Sequence, residues 1–230
     1  MIRNTSILLT IFALGFILAC CSNEKPFYDV KFIKTFTMEF PDSAWIGIRP
    51  EILHYYYGEL PTDSFDFQAY FKIVRNDDYL FIFVNVIDQI KYTHPKPQNE
   101  LDKSLWNLSD YDRVNLMFDS NNDAKIETNS NDIGISMNYG VDSIFSTNIS
   151  PKDVIAKQKD TDLGYIMEFK IPIRYFRINK IAFNIVITDH DKKFHENDYD
   201  VYGRWESEFG WGVNDYMEDL NKRYGFLKFN

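Results

Sequence analysis

Cysteine is almost missing from this chain of 230 residues: there are two, Cys20 and Cys21, adjacent and near the N-terminus. The remaining residues therefore hold no disulfide framework, no thiolate zinc site and no cysteine nucleophile. Positive charge is also in deficit, with 25 Lys and Arg against 34 Asp and Glu, for a net charge of −9. An acidic surface argues against binding nucleic acid, and against holding anionic lipid heads through a basic patch. The common catalytic signatures are absent as well: no G-x-S-x-G elbow, no H-E-x-x-H and no glycine-rich phosphate loop. Scattered Asp and Glu leave paired carboxylates for glycoside hydrolysis open. A domain this small without a motif nevertheless favours a non-catalytic reading. No repeat and no low-complexity stretch occurs, and no segment carries a long 3.6-residue periodicity.

A membrane-spanning run is missing too. The apolar stretch from Ile7 to Ala19 falls short of the roughly 20 residues that a spanning helix needs, and has the proportions of a signal-peptide core behind Arg3. It ends Ile17-Leu18-Ala19-Cys20, which resembles the lipobox of bacterial lipoproteins. That resemblance implies cleavage before Cys20 and lipid attachment to its thiol. Cleavage before Cys21 fits less well, because Cys20 would then hold the position just before the cut. The expected organisation is a signal peptide over residues 1–19, a lipidated N-terminus and tether over 20–30, and one folded domain over 31–230. Removing Arg3 with the signal takes the net charge from −9 to −10. The implied location is the bacterial cell envelope, lipid-anchored at the outer membrane.

What the chain has in quantity is aromatic: 20 Phe and 15 Tyr, within an aromatic content of 17%. Such residues favour strands, and they can also offer flat faces to sugar rings. An acidic, aromatic-rich surface is compatible with neutral glycans. Short apolar runs separated by Asp, Asn, Gly and Pro read as an all-β antiparallel sandwich. Phe65 to Ile73 alternates, and Tyr79 to Ile87 is apolar on both faces, as a central strand would be. Val114, Leu116 and Phe118 share one face of the next strand. Tyr165, Met167, Phe169 and Ile171 point inward from another, with Glu168 and Lys170 outward, where Glu168 is expected to pair with Arg or Lys. Pro172 ends that strand before one helical turn, Ile173 to Phe176. Ile181 to Thr188 is a further buried strand, and Tyr224 to Phe229 closes the sheet. His94 to Asp110 and Lys192 to Asp219 read as two long loops, which in a compact domain are commonly functional.

At this point the pieces resemble the family 9 carbohydrate-binding modules and their relatives on a DOMON-like, jelly-roll-type β-sandwich. Trp45 comes first, then Asp78-Tyr79-Leu80-Phe81-Ile82-Phe83-Val84-Asn85-Val86-Ile87-Asp88. Trp106 follows, then Asp112-Arg113-Val114-Asn115-Leu116-Met117-Phe118-Asp119, similar to the family's D-x-V-E-x-x-x-D strand. Gly164-Tyr165-Ile166-Met167-Glu168-Phe169-Lys170-Ile171-Pro172 is similar to its G-Y-x-x-E-x-x-I-P strand. Asp189-His190-Asp191, Arg204, Trp211 and Tyr224-Gly225-Phe226-Leu227 complete the order. Two residues depart from the pattern: Asn115 stands where the family has Glu, and Ser136 stands where some members carry Arg.

The resemblance implies a binding module in which two tryptophans clamp a sugar ring and polar neighbours hold its hydroxyls. Trp106 and Trp211 occupy the clamp positions, with Arg113, Asn115 and Asn138 as polar partners. The alternative is that both tryptophans anchor loops against the sandwich edge. Trp205 is a substitute for Trp211, and Trp45 reads as core. The resemblance also implies partnership with glycan-degrading enzymes. Calcium is the one candidate ion. Asp119, Asn121 and Asp123 have the 1-3-5 oxygen spacing of a calcium loop, but Ala124 and Ser130 at the sixth and twelfth positions exclude an EF-hand and favour an Asx turn. Because calcium occurs in family members, a different site stays open. Asp189 and Asp191 are expected to pair with Arg204. Two other functions remain beside sugar binding. Haem b electron transfer would use Met137 and His190 as axial ligands, the plainer reading being that Met137 fills core. The other is a docking lipoprotein that keeps the fold without a ligand.

Overall fold

A computed structural model describes residues 26–38, 42–53, 55–57, 66–91, 112–119, 132–176, 180–190, 206–210 and 225–229. Among these, β1 is Phe27–Phe32, β2 Glu51–Ile52, β3 Tyr55–Tyr57, β4 Phe67–Arg75 and β5 Tyr79–Asp88. β6 is Arg113–Asp119, β7 Ile133–Asn138, β8 Ile144–Thr147, β9 Ile155–Thr161 and β10 Gly164–Pro172. β11 is Lys180–His190, β12 Glu206–Gly210 and β13 Gly225–Phe229. Among the described residues, the helical elements are short 3-10 turns at Asp42–Trp45, Pro151–Asp153 and Ile173–Tyr175. None of the described residues forms a helix long and apolar enough to cross a membrane.

The strands follow one hydrogen-bonded path, β8-β7-β6-β11-β13-β1-β4-β5-β10-β9. This path folds into two faces because β1 leaves one sheet and enters the other. Its first residues pair with β13 (Phe27 opposite Phe226), and its last two pair with β4 (Lys31 opposite Val74). Both pairings are parallel. Parallel neighbours need long connections, and β1 lies far along the chain from both partners. The remaining pairings are antiparallel, so the sandwich is of the expected class with β1 as the exception. β1 also starts at Phe27, inside the stretch read as tether, so the ordered domain begins before residue 31. The second long loop is corrected in part. Glu206–Gly210 is a strand, held by backbone bonding to Val186–His190 on one side and Tyr55–Tyr57 on the other. Its sequence has no apolar alternation to announce it.

Alternation fills the core. Val114, Leu116 and Phe118 of β6, Ile135 and Met137 of β7, and Ile181, Phe183, Ile185 and Ile187 of β11 are buried. They face Phe71 and Ile73 of β4, Leu80, Ile82, Val84 and Val86 of β5, and Met167, Phe169 and Ile171 of β10, also buried. The rings of Phe71 and Phe183 meet across the two sheets at 5.8 Å. Burial on this scale, at roughly 25 cal/mol per Å² of apolar surface, is the main source of stability.

β5 is apolar on its other face for a second reason. Phe81 and Phe83, with Val74 and Ile166, carry a smaller core on the outside of that sheet, roofed by Phe36, Met38, Trp45 and Ile48. Trp45 is fully buried there, packed edge-on against Phe36 at 4.7 Å and tilted against Phe83 at 5.4 Å. Glu168 points to this outer face as expected and is fully buried there. The roof covers it, and its Oε1 accepts a hydrogen bond of 2.7 Å from the Trp45 indole nitrogen.

Candidate functional site

Opposite Val114 and Leu116, β6 presents Arg113 and Asn115 on the outer face of its sheet. Register sets the neighbours: Arg113 lies between Asn138 of β7 and Thr188 of β11, and Asn115 lies between Ser136 and Val186. Because Ile133, Ile135 and Met137 face the core, period-two alternation puts Ser136 and Asn138 on the same outer face as Arg113 and Asn115. The structure therefore brings the three expected polar partners, Arg113, Asn115 and Asn138, onto one surface. Ser136 donates to Asn115 Oδ1 at 2.8 Å, and an Arg113 guanidinium nitrogen reaches Thr188 Oγ1 at 3.4 Å. Asn138 is buried, and neither atom of its amide makes a hydrogen bond among the described residues. Desolvating such a group without a partner costs about 1–3 kcal/mol, which a ligand or a covering loop would recover.

Trp106 and Trp211, the expected clamp, lie outside the described residues, as do Trp205, Asn121, Asp123, Asp191, Arg204 and Cys20. Asp119 closes β6, buried. Met137 is fully buried in the core opposite Val114, which is the core-filling role.

A second polar group, not foreseen as a site, lies between the sheets at one end of the sandwich. Asp88 ends the inward row Leu80, Ile82, Val84, Val86, and Asp189 ends the inward row Ile181, Phe183, Ile185, Ile187. Asp112 stands two residues before Val114, and Tyr165 heads the row Met167, Phe169, Ile171. All four are buried. One carboxylate oxygen from each of Asp88, Asp112 and Asp189 lies within 4.8 Å of the other two. Asp88 Oδ1 also accepts from the Ile90 amide at 2.7 Å, and the Asp112 carbonyl accepts from the Tyr139 amide at 2.8 Å. Tyr139 stacks on Tyr165, with ring centroids 4.7 Å apart, and donates to Asp160 Oδ1 at 2.8 Å. Burial, followed by the charges of Asp112, Asp88 and Asp189, pushes the Tyr165 phenol well up from its ordinary value. Arg204, the expected partner of Asp189, lies outside the described residues; among those described, Asp189 groups with Asp88 and Asp112. The sequence signal was present. Each Asp stands where strand alternation calls for an apolar, core-facing residue.

Solved structures show the same fold. A family 9 carbohydrate-binding module from Caldicellulosiruptor kristjanssonii, in complex with glucose, superposes with a TM-score of 0.68 at 17% identity, covering 89% of this chain and 96% of that one. Its complex with cellotriose gives the same TM-score and identity, covering 89% and 94%. A carbohydrate-binding protein, so described provisionally, from Bacteroides uniformis gives 0.54 at 11% identity, covering 90% and 100%. No curated protein matches the sequence. The family described as carbohydrate family 9 binding domain-like matches residues 39–208, well over half of the chain, and to that family this chain belongs.

Proposed function

We propose that this chain is a non-catalytic carbohydrate-binding module that captures an oligosaccharide or the end of a polysaccharide, in support of glycan-degrading enzymes. The observation that carries the reading is the polar outer face of β6, β7 and β11. On a family 9 fold, Arg113, Asn115, Ser136 and Asn138 supply fixed donors and acceptors of the kind sugar hydroxyls need. The related module's complexes with glucose and cellotriose support a neutral glycan as ligand. In this reading Trp106 and Trp211 supply the apolar faces that pack on the ring.

A glycan array on the chain lacking residues 1–21, followed by calorimetry on the hits, tests it. Each aromatic face should contribute on the order of 1–2 kcal/mol. Trp106→Ala and Trp211→Ala should then each weaken binding by about tenfold. Sugar binding that survives the double variant would reject the clamp, and an array with no hit would reject the ligand class.

The reading includes an envelope anchor. Processing before Cys20 would leave a lipidated cysteine, and each buried CH₂ of its chains would contribute about 0.8 kcal/mol of membrane attachment. Cys20→Ser should leave an uncut precursor that takes up no labelled fatty acid. Undiminished labelling of that variant would remove the anchor from the proposal.

A further inference from the structure

We propose that the end of the sandwich where Lys31, Lys180 and Lys228 flank Phe27 and Phe226 is a seat on an anionic lipid bilayer. The inference rests on the anchor proposed at Cys20 and goes beyond it, because an anchor alone leaves the domain free to take any orientation above the membrane.

Register assembles the surface. Tyr28 and Val30 of β1 are buried, so Phe27, Asp29 and Lys31 share its outer side. Phe226 and Lys228 hold that side of β13, on either side of buried Leu227, and Lys180 holds it on β11 beside buried Ile181. Phe27 pairs with Phe226, which pairs with Ala182; Asp29 pairs with Lys228, which pairs with Lys180. Two aromatic rings therefore stand in one row and two lysines in the next, with Lys31 beyond. The chain's net charge of −9 argues against a basic patch in general. On these rows, however, Lys31, Lys180 and Lys228 meet a single acidic residue, Asp29.

The pairing of ring with cation points to lipid. Phe27 is 52% exposed, and Lys228 Nζ lies 3.6 Å from the centre of its ring. Lys180 Nζ lies 3.5 Å from the centre of the Phe226 ring. Around the end, Phe32 and Phe229 flank Arg75, whose guanidinium carbon lies 5.0 and 5.9 Å from their ring centres. Rings that can enter the acyl boundary, each beside a long cationic side chain that can reach a phosphate, are the chemistry of an interfacial seat. The ammonium groups cover the ring faces that a stacked sugar would need.

Chain length brings the bilayer to this end. Cys20 precedes Phe27 by seven positions, a reach of at most about 25 Å. The row of Phe27 is that of Ala182, two residues or about 7 Å from Lys180 along β11. A lipid on Cys20 thus keeps these residues within reach of the membrane. Thr188, beside Arg113 on the proposed sugar face, is eight residues from Lys180, about 26 Å along the same strand. Seating the lysine end therefore holds the sugar face away from the bilayer.

The test takes residues 20–230 carrying Cys21→Ser, in which Cys20 is the only cysteine. Its thiol is coupled to a maleimide lipid in vesicles of phosphatidylcholine and phosphatidylglycerol. Chemical coupling makes the outcome independent of lipidation in the cell, which the labelling of Cys20→Ser decides separately. Lysine acetylation is read by mass spectrometry against the uncoupled protein. It should slow about fivefold or more at Lys180 and Lys228, since each lysine held at an anionic surface gains about that factor. Lys157 and Lys159, exposed on the edge strand β9 of the other sheet, should react unchanged. Phe27→Asp and Lys31→Glu should each restore most of the lost rate, each variant compared with its own rate in solution. Unchanged thermal midpoints would show that their fold is intact. Equal rates on and off the vesicle, equal slowing at all four lysines, or slowing that both variants keep would overturn the proposal. So would protection of Lys180 and Lys228 by polygalacturonate in solution with none on vesicles, which would give this end to an acidic polysaccharide.

Discussion

Trp45→Ala should destabilise the fold by about 3–5 kcal/mol, the loss typical of emptying a large aromatic site. Trp45 is fully buried, and its indole is the centre of the small core on the outer face of β5. Phe36, which touches both Trp45 and Phe81, would lose its edge-on partner. The change also removes the donor that Trp45 gives to Glu168, a carboxylate with no exposure to solvent. Loss of one bond to a buried ion adds about 1.5–3 kcal/mol in comparable cases, so the effect should lie toward the upper end of the range. Glu168→Gln keeps an oxygen acceptor for the indole and should cost much less. Urea unfolding of the two single variants and their double variant gives the coupling between the residues. A Trp45→Ala loss below about 1 kcal/mol would mean that Phe36, Met38 and Ile48 merely lie on the sheet without sealing it.

Trp45 also illustrates how far the sequence could be read. Its burial is foreseeable from its size and its place before a strand, and the two-sided apolar pattern of β5 announces a strand covered on both faces. The identity of the roof is not foreseeable, because the indole and Glu168 are 123 residues apart in the chain. Alternation in β10 correctly places Glu168 outward, but alternation alone does not say whether an outward position is exposed, because a sheet can carry a second layer. β12 failed for the opposite reason: Glu206–Gly210 is held by main-chain pairing on both sides, and main-chain pairing leaves no mark in side-chain order. Parity served better at the polar face. The assignment of Arg113 and Asn115 to the side away from Val114 and Leu116 follows from the pleat alone, and Asn138 joins them through register. The carboxylate group was half legible. Three acidic residues occupy core-facing positions in otherwise apolar rows, an anomaly visible in the chain, but their convergence depends on two sheets meeting.

The second large effect is expected at Gly164. Strand propensity alone predicts that Gly164→Ala should stabilise, since glycine within a strand costs about 0.5–1 kcal/mol relative to alanine. Local packing predicts the opposite. A Cβ at this position would lie 2.1 Å from the Val86 carbonyl oxygen and 3.0 Å from both the Asp88 nitrogen and the Ile87 Cα. These are backbone atoms of β5, so no side chain can rotate away to make room. Relief requires separating the start of β10 from the end of β5, where the Asp88 amide now donates to the Leu163 carbonyl at 2.9 Å. The variant should therefore lose about 3 kcal/mol, at the upper end of what forced overpacking costs. Gly47 is the control. Its φ is +78° and a Cβ there meets nothing within 4 Å, so Gly47→Ala should lose only the left-handed backbone cost of about 1–2 kcal/mol. Urea midpoints of the two variants measure the difference. Equal losses would mean that β10 shifts from β5 at little cost.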